Sequence, residues 1–181
     1  MEEKIKYFKG GDKEHTDEAL AIAKEYAGKH KIKSIVVAST TGFTAKKAAS
    51  VFKGKNLIVV THAHGFREPD KSEFPAELKK SLETSGVKVV TAAHSFTGVG
   101  KLVEDSVGSI IAETLRMFCQ GMKVAVEIAA EATDAGHVST KEDIISIAGT
   151  GHGADTVLVI RPANSRRLFE MDIKKILAMP I

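Results

Sequence analysis

Thiol chemistry is nearly absent from this sequence: among 181 residues there is one cysteine, Cys119. A lone cysteine rules out an internal disulfide and suits a reducing, cytoplasmic setting. No apolar run approaches the roughly 18 residues that a membrane span needs, and the opening Met1 to Lys6 has no apolar stretch behind it of the kind a secretion signal requires. Neither sign of charge dominates. The net charge of +3 is scattered over mixed Lys/Arg and Asp/Glu, with no basic arm or stripe, so nucleic acid is not an expected partner. Repeats, low-complexity tracts and clear linkers are lacking too, and the length suits one domain over 1–181. Two well-known chemical signatures also fail. The turn Gly149-Thr150-Gly151-His152-Gly153 is spaced Gly-x-Gly-x-Gly and opens a strand, whereas a dinucleotide fingerprint opens a helix. Neither Ser39 nor Ser95 lies in the Gly-x-Ser-x-Gly elbow of an acyl-transfer serine.

What is present is an ordinary balance for a soluble globular protein, 43% hydrophobic and 27% charged, organised around Ser34 to Thr44. The short β-branched run Ile35, Val36, Val37 suits a strand covered on both faces. It stops in Ser39-Thr40-Thr41-Gly42-Phe43-Thr44, and a helix over 45–52 follows, with Thr44 expected to cap it. The free amides of that first turn favour an anion, most simply a phosphate. A second strand, 57–60, ends in Thr61-His62-Ala63-His64-Gly65-Phe66, and a third, 87–91, ends in Ala92-Ala93-His94-Ser95-Phe96-Thr97-Gly98. A helix between them starts at Pro75, with Phe74 stapled to Leu78, and ends near Gly86. Strands alternating with helices at this spacing predict a parallel sheet with right-handed crossovers, its carboxyl ends on one edge. Earlier in the chain, Ile5 to Phe8 reads as an edge strand or an arm, Gly10-Gly11-Asp12 breaks it, and a helix runs from Thr16 to Gly28.

The middle of the chain reads as two helices. The first spans 102–120 with a wide apolar stripe, weakened at Gly108 by about 1 kcal/mol relative to alanine. Gly121 separates it from the second, 123–135. Their apolar surface exceeds what one sheet covers, which points to a homo-oligomer. Strands over 144–148 and 157–160 are joined by too short a link for a parallel crossover, so they run antiparallel. The fold class is therefore α/β, a mostly parallel sheet with an antiparallel edge strand. The tail carries Arg161, Arg166 and Arg167, and 168–181 reads as a strand followed by a helical turn.

Candidate site residues each have more than one reading. Ser39, Thr40, Thr41, Gly42 and Thr44 either hold a phosphate, aided by Lys46 and Lys47, or are simply the hydroxyls and glycine of a strand-to-helix turn. His62, His64, His94 and His152 line a ligand pocket, supply a metal site, or are ordinary surface histidines. Gly149, Thr150, Gly151 and Gly153 permit close approach of a ligand or just make a turn, while Asp155 receives ligand hydroxyls or holds that turn. Phe66 and Phe96 stack on a flat ring or anchor their loops. The arginines pair with a phosphate or another subunit, and Cys119 is expected buried and inert.

The strand, turn and helix Val36-Val37-Ala38-Ser39-Thr40-Thr41-Gly42-Phe43-Thr44-Ala45, with Leu57 to Thr61 after it, resembles the C-terminal domain of pyruvate kinase. The chain as a whole resembles a family of small, mostly archaeal stand-alone proteins of that fold. The resemblance is carried by Val60-Thr61-His62 with Gly65-Phe66, by Gln120 to Ala129, and by Ile147 to Gly151 with Gly153 to Asp155. It implies a three-layer α/β/α domain that binds a phosphorylated flavin, FMN, at the strand ends, and it supplies no reaction. Ser39 to Thr44, His62, Gly65, Phe66, His94, Ser95, Gly149, Thr150, Gly151 and Asp155 are the positions expected to hold it. The kinase's catalytic barrel does not fit in this length, so kinase activity is not implied. Three functions follow: a flavin or phosphorylated-ligand binding protein, a non-catalytic module sensing a phosphorylated metabolite, and a metal-assisted hydrolase built on the histidines.

Overall fold

The computed structural model describes residues 4–11, 13–103 and 106–181; the end of the Gly10-Gly11-Asp12 break and part of the expected 102–120 helix lie outside them. Three parallel strands, β2 (Ser34–Ala38), β3 (Asn56–Thr61) and β4 (Lys88–Thr91), are joined by α2 (Phe43–Val51) and α3 (Ala76–Thr84). The chain then returns through α4 (Val107–Arg116) and α5 (Gln120–Asp134) to β5 (Ile144–Ala148), which pairs parallel to β2 on its other side. Next come β6 (Thr156–Arg161), antiparallel to both neighbours, and β7 (Asp172–Pro180), with β1 (Lys6–Phe8) laid parallel outside it and α1 (Thr16–Lys29) leading from β1 to β2. The order is β1-β7-β6-β5-β2-β3-β4.

Alternation along the strands divides the core between two faces. Ile35, Val37, Ile145 and Ile147 pack with α1 and α2, while Val36, Ile58, Ile144 and Leu158 pack with α5. Both faces are therefore covered by apolar side chains, which is why the strand sequences read as continuous hydrophobic runs and not as alternation. The result is a mostly parallel α/β/α sandwich, and β6 lies inside it, not at its edge as expected, because β7 from the tail and β1 from the other end of the chain add two more strands beyond.

Four local expectations are corrected. The tail begins with a 3-10 turn at Ser165–Glu170 and ends in the strand, the reverse of the expected order. The apolar stretch 102–120 is not one helix: a 3-10 turn at Val99–Leu102 precedes α4, which Ser106 caps by accepting the Ser109 amide at 3.2 Å. Gly121 is no separator, since it sits in the first turn of α5. Gly108 is no simple weakness either. A Cβ there would stand 1.9 Å from the Phe96 carbonyl oxygen, so the missing side chain lets α4 lie on the loop after β4. Gly108→Ala should accordingly destabilise by about 1–3 kcal/mol, although helix propensity alone forecasts a gain of about 1 kcal/mol. Urea denaturation reads the sign.

Candidate functional site

Where β2 meets α2, Ser39 is buried and fully engaged: its amide donates to the Val60 carbonyl at 2.9 Å and its hydroxyl accepts the Ala45 amide at 3.2 Å. Ser39 therefore does the capping expected of Thr44, which is itself buried inside the first turn. Gly42 holds the cap position with φ +90°, a left-handed conformation in which a Cβ would also run into Leu78. Among the described residues the amides of Phe43 and Thr44 have no hydrogen-bond acceptor, leaving two donors and the positive end of the helix beside Thr40 and the exposed Thr41. Lys13 and Lys47 stand 4.5 and 5.3 Å from the Phe43 ring, and Lys47 is paired with Asp17 at 2.6 Å. Lys46 is exposed.

Register brings the next strand's residues to this turn. Ala38 pairs with Val60, so Thr40 and His62, each two residues further on, lie side by side. Thr40 Oγ1 is 3.3 Å from His62 Nε2, and His62 Nδ1 is 2.7 Å from Glu73 Oε2. The other oxygen of Glu73 takes Arg67 Nε at 3.0 Å. A carboxylate only accepts, so His62 carries a proton on Nδ1 and turns Nε2 to the threonine hydroxyl. Phe66, 49% exposed, packs at 4.2 Å on His62 and stacks on His94 at 5.0 Å with planes 12° apart. The two histidine rings are 5.3 Å apart. Phe96 is buried and anchors its loop. Gly65 closes the loop by donating to the Lys71 carbonyl at 2.8 Å.

Behind His94 runs a buried charged stripe that sequence reading missed. Lys123, Glu127 and Glu131 lie four residues apart on α5, all at most 5% exposed. Glu127 takes the Lys123 ammonium, the Phe96 amide at 2.9 Å and, at 3.5 Å, His94 Nδ1. Glu131 accepts the Ser95 amide at 3.2 Å. Burial, reinforced by the charge of Glu127, pushes the Glu131 carboxyl up to about 8, against the lowering pull of that amide and of Lys123. The signal was available: a charge every four residues on an otherwise apolar helix face asks for partners.

The glycine turn lies at the same sheet edge, between β5 and β6, next to the turn after β2, since Val37 pairs with Ile147. Asp155 is fully buried, with Oδ2 on the Thr150 amide at 2.8 Å and Oδ1 on the Thr156 hydroxyl at 2.6 Å. Both oxygens hold the turn. Gly149 packs against the Gly153 carbonyl, and Gly151 is exposed. Cys119 is half-buried and accepts the Met122 amide at 3.2 Å, capping α5. His64 and His152 are exposed and make no contact with the histidine pair among the described residues. Among those residues no three His, Cys, Asp or Glu side chains converge as a metal-ligand group. Arg161, at the opposite edge, pairs with Asp143 at 2.6 Å, and Arg167 with Glu170.

The sequence model for the alpha/beta domain of pyruvate kinase matches residues 17–160. Among solved structures, a pyruvate kinase from Cryptosporidium parvum is similar at 16% identity over 78% of this chain and 22% of that one, with a TM-score of 0.39. The ADP complex of pyruvate kinase from the same organism gives 18% identity, the same coverages and 0.40. The chain spans about a fifth of the length of these kinases. No helix of the described residues is long and apolar enough to cross a membrane.

Proposed function

Since the chain belongs to the family of the pyruvate kinase alpha/beta domain, we propose that it uses the carboxyl edge of its sheet to bind a phosphorylated ligand, with the phosphate on the first turn of α2. One observation carries this reading: the acceptor-free amides of Phe43 and Thr44 open beside the Thr40 and Thr41 hydroxyls. A helix start with unused donors and small polar neighbours is the standard physical recipe for an anion.

FMN is the ligand we favour. Its phosphate fits those donors, and the exposed face of Phe66 is the surface offered to a flat ring. A flavin bound here would supply hydride and single-electron exchange, while the protein would supply orientation. Riboflavin isolates the phosphate contribution. Thr41→Val should weaken FMN about tenfold, the loss of one hydrogen bond to a charged group, and leave riboflavin unchanged in a fluorescence titration. Equal losses for both would reduce the turn to architecture. Protein that purifies colourless and takes up no FMN, yet is stabilised thermally by a different phosphorylated metabolite without turnover, would favour the sensor reading.

The face of α4 supports self-association. Val107 and Ile110 are each more than half exposed, and with Phe169 they border a groove of about 530 Å³; Met117 and Phe118, just past the end of α4, are more than half exposed as well. Adjoining the groove's lining residues in sequence are charge pairs of both signs, Arg116 with Glu113 and Arg167 with Glu170, which a second copy would complement with its own. Light scattering at micromolar concentration should give a multiple of 19.4 kDa, and Ile110→Glu should return it to the monomer. A monomeric mass for the unaltered chain would remove the idea.

A further inference from the structure

We propose that Thr40, His62 and Glu73 form a nucleophilic triad that hydrolyses small carboxylic esters, an activity that needs no bound phosphate, although it shares the first turn of α2 with the proposed phosphate site. The arrangement is the one that activates a hydroxyl on unrelated folds: nucleophile to base at 3.3 Å, base to orienting carboxylate at 2.7 Å. Each member is held by a different part of the chain. Thr40 ends β2, His62 ends β3 in register with it, and Glu73 precedes α3 with its second oxygen fixed by Arg67. All three are partly open to solvent, His62 and Glu73 at 28% and 19% of their side chains, as a substrate requires. Ser39, the neighbouring hydroxyl, is excluded because it is buried on the Ala45 amide.

The chemistry closes with water as the only co-reactant. Thr40 Oγ1 attacks the ester carbonyl carbon while its proton passes to His62 Nε2, and the carbonyl electron pair moves onto oxygen. The first-turn amides of α2, which begin three residues after Thr40 and have no acceptor among the described residues, are donors for that oxyanion. Collapse breaks the bond to the alcohol, which leaves with the proton from His62, and an acyl ester remains on Thr40. Water then gives a proton to His62 and attacks this ester; the acid departs and Thr40 recovers the proton. Glu73 is a positioning residue: it touches no substrate and fixes the tautomer of His62. The half-exposed Phe66 ring, packed on His62, favours esters with a flat aromatic alcohol.

The test uses the full chain with 4-nitrophenyl acetate and a fluorophosphonate probe. A burst of nitrophenolate is expected, and peptide mass spectrometry should place the phosphonyl adduct on Thr40. Thr40→Val, which keeps the side-chain shape, and His62→Asn should each lower kcat by about 100-fold or more, and Thr40→Ser should keep the burst. Glu73→Gln should lower kcat about tenfold or more with KM unchanged, and Glu73→Asp should recover part of it. Unlabelled Thr40, an adduct on another residue, or a Thr40→Val variant as fast as the original protein overturns the proposal. FMN and riboflavin titrations of the same variants read the phosphate site separately.

Discussion

Replacing Lys123 with methionine should cost about 3–5 kcal/mol of stability, the largest single effect expected in this molecule. Lys123 is 2% exposed and its ammonium rests on Glu127. Methionine fills much the same volume, so packing is nearly conserved and the loss isolates the charge. What remains is a buried carboxylate facing the Phe96 amide, with His94 at 3.5 Å. Adding Glu127→Gln to Lys123→Met should return most of the loss, because the leftover charge goes with it. Urea denaturation of the single and double variants measures the coupling between the two sites. A Lys123→Met cost below about 1 kcal/mol would mean that the pair is solvated in solution.

The second large effect is a pH dependence that runs opposite to the usual carboxylate case. Glu131 ionises near 8 in the folded protein against 4.5 ordinarily. Between those values the folded chain holds a proton that the unfolded chain has released, so stability must fall as pH rises. The contribution is complete below about 4.5 and is gone above about 8. Its slope is at most about 1.4 kcal/mol per pH unit. The groups facing Glu131 are Glu127, Lys123, Asp134 and the Ser95 amide, so the burial penalty is what Glu131→Gln removes. That variant should lose the slope and exceed the original protein in stability at pH 9. Parallel stability curves for the two proteins from pH 5 to 9 would contradict the assignment.

Much of the frame was legible because its signals are local. β-branched runs ending in hydroxyls and glycine marked β2 to β4, and the short link before β6 gave its direction. The tail was misread because Leu168 to Ile181 has neither period, and only pairing with β6 and β1 decides that Asp172–Pro180 is a strand. Membership of the pyruvate kinase alpha/beta domain family was legible in Val36 to Ala45 and Leu57 to Thr61. Of the positions picked for a site, the structure joins Thr40, His62, Phe66 and His94 and sets Gly149 to Asp155 after β5, the neighbour of β2, with Asp155 spent on its own turn. Glu73 escaped notice because it lay at the end of a polar loop with nothing periodic about it. Its partner is 11 residues away in sequence and is reached only when that loop folds back. Lys123, Glu127 and Glu131 were passed over because the apolar residues around them dominated the reading of the helix.

The site straddles two regions of unequal strength. Thr40 and His62 hang from β2 and β3, each hydrogen-bonded on both sides, whereas His94 follows β4, an edge strand paired only with β3. Amide hydrogen exchange should separate them: 57–60 exchange only when the whole molecule opens, and 88–91 through a smaller local release. Such a release would carry off His94 and its stack on Phe66, uncovering one side of the pocket while Thr40, His62 and Glu73 stay assembled. The bonds that such a release has to break are those of the Ser95 and Phe96 amides to Glu131 and Glu127 on α5.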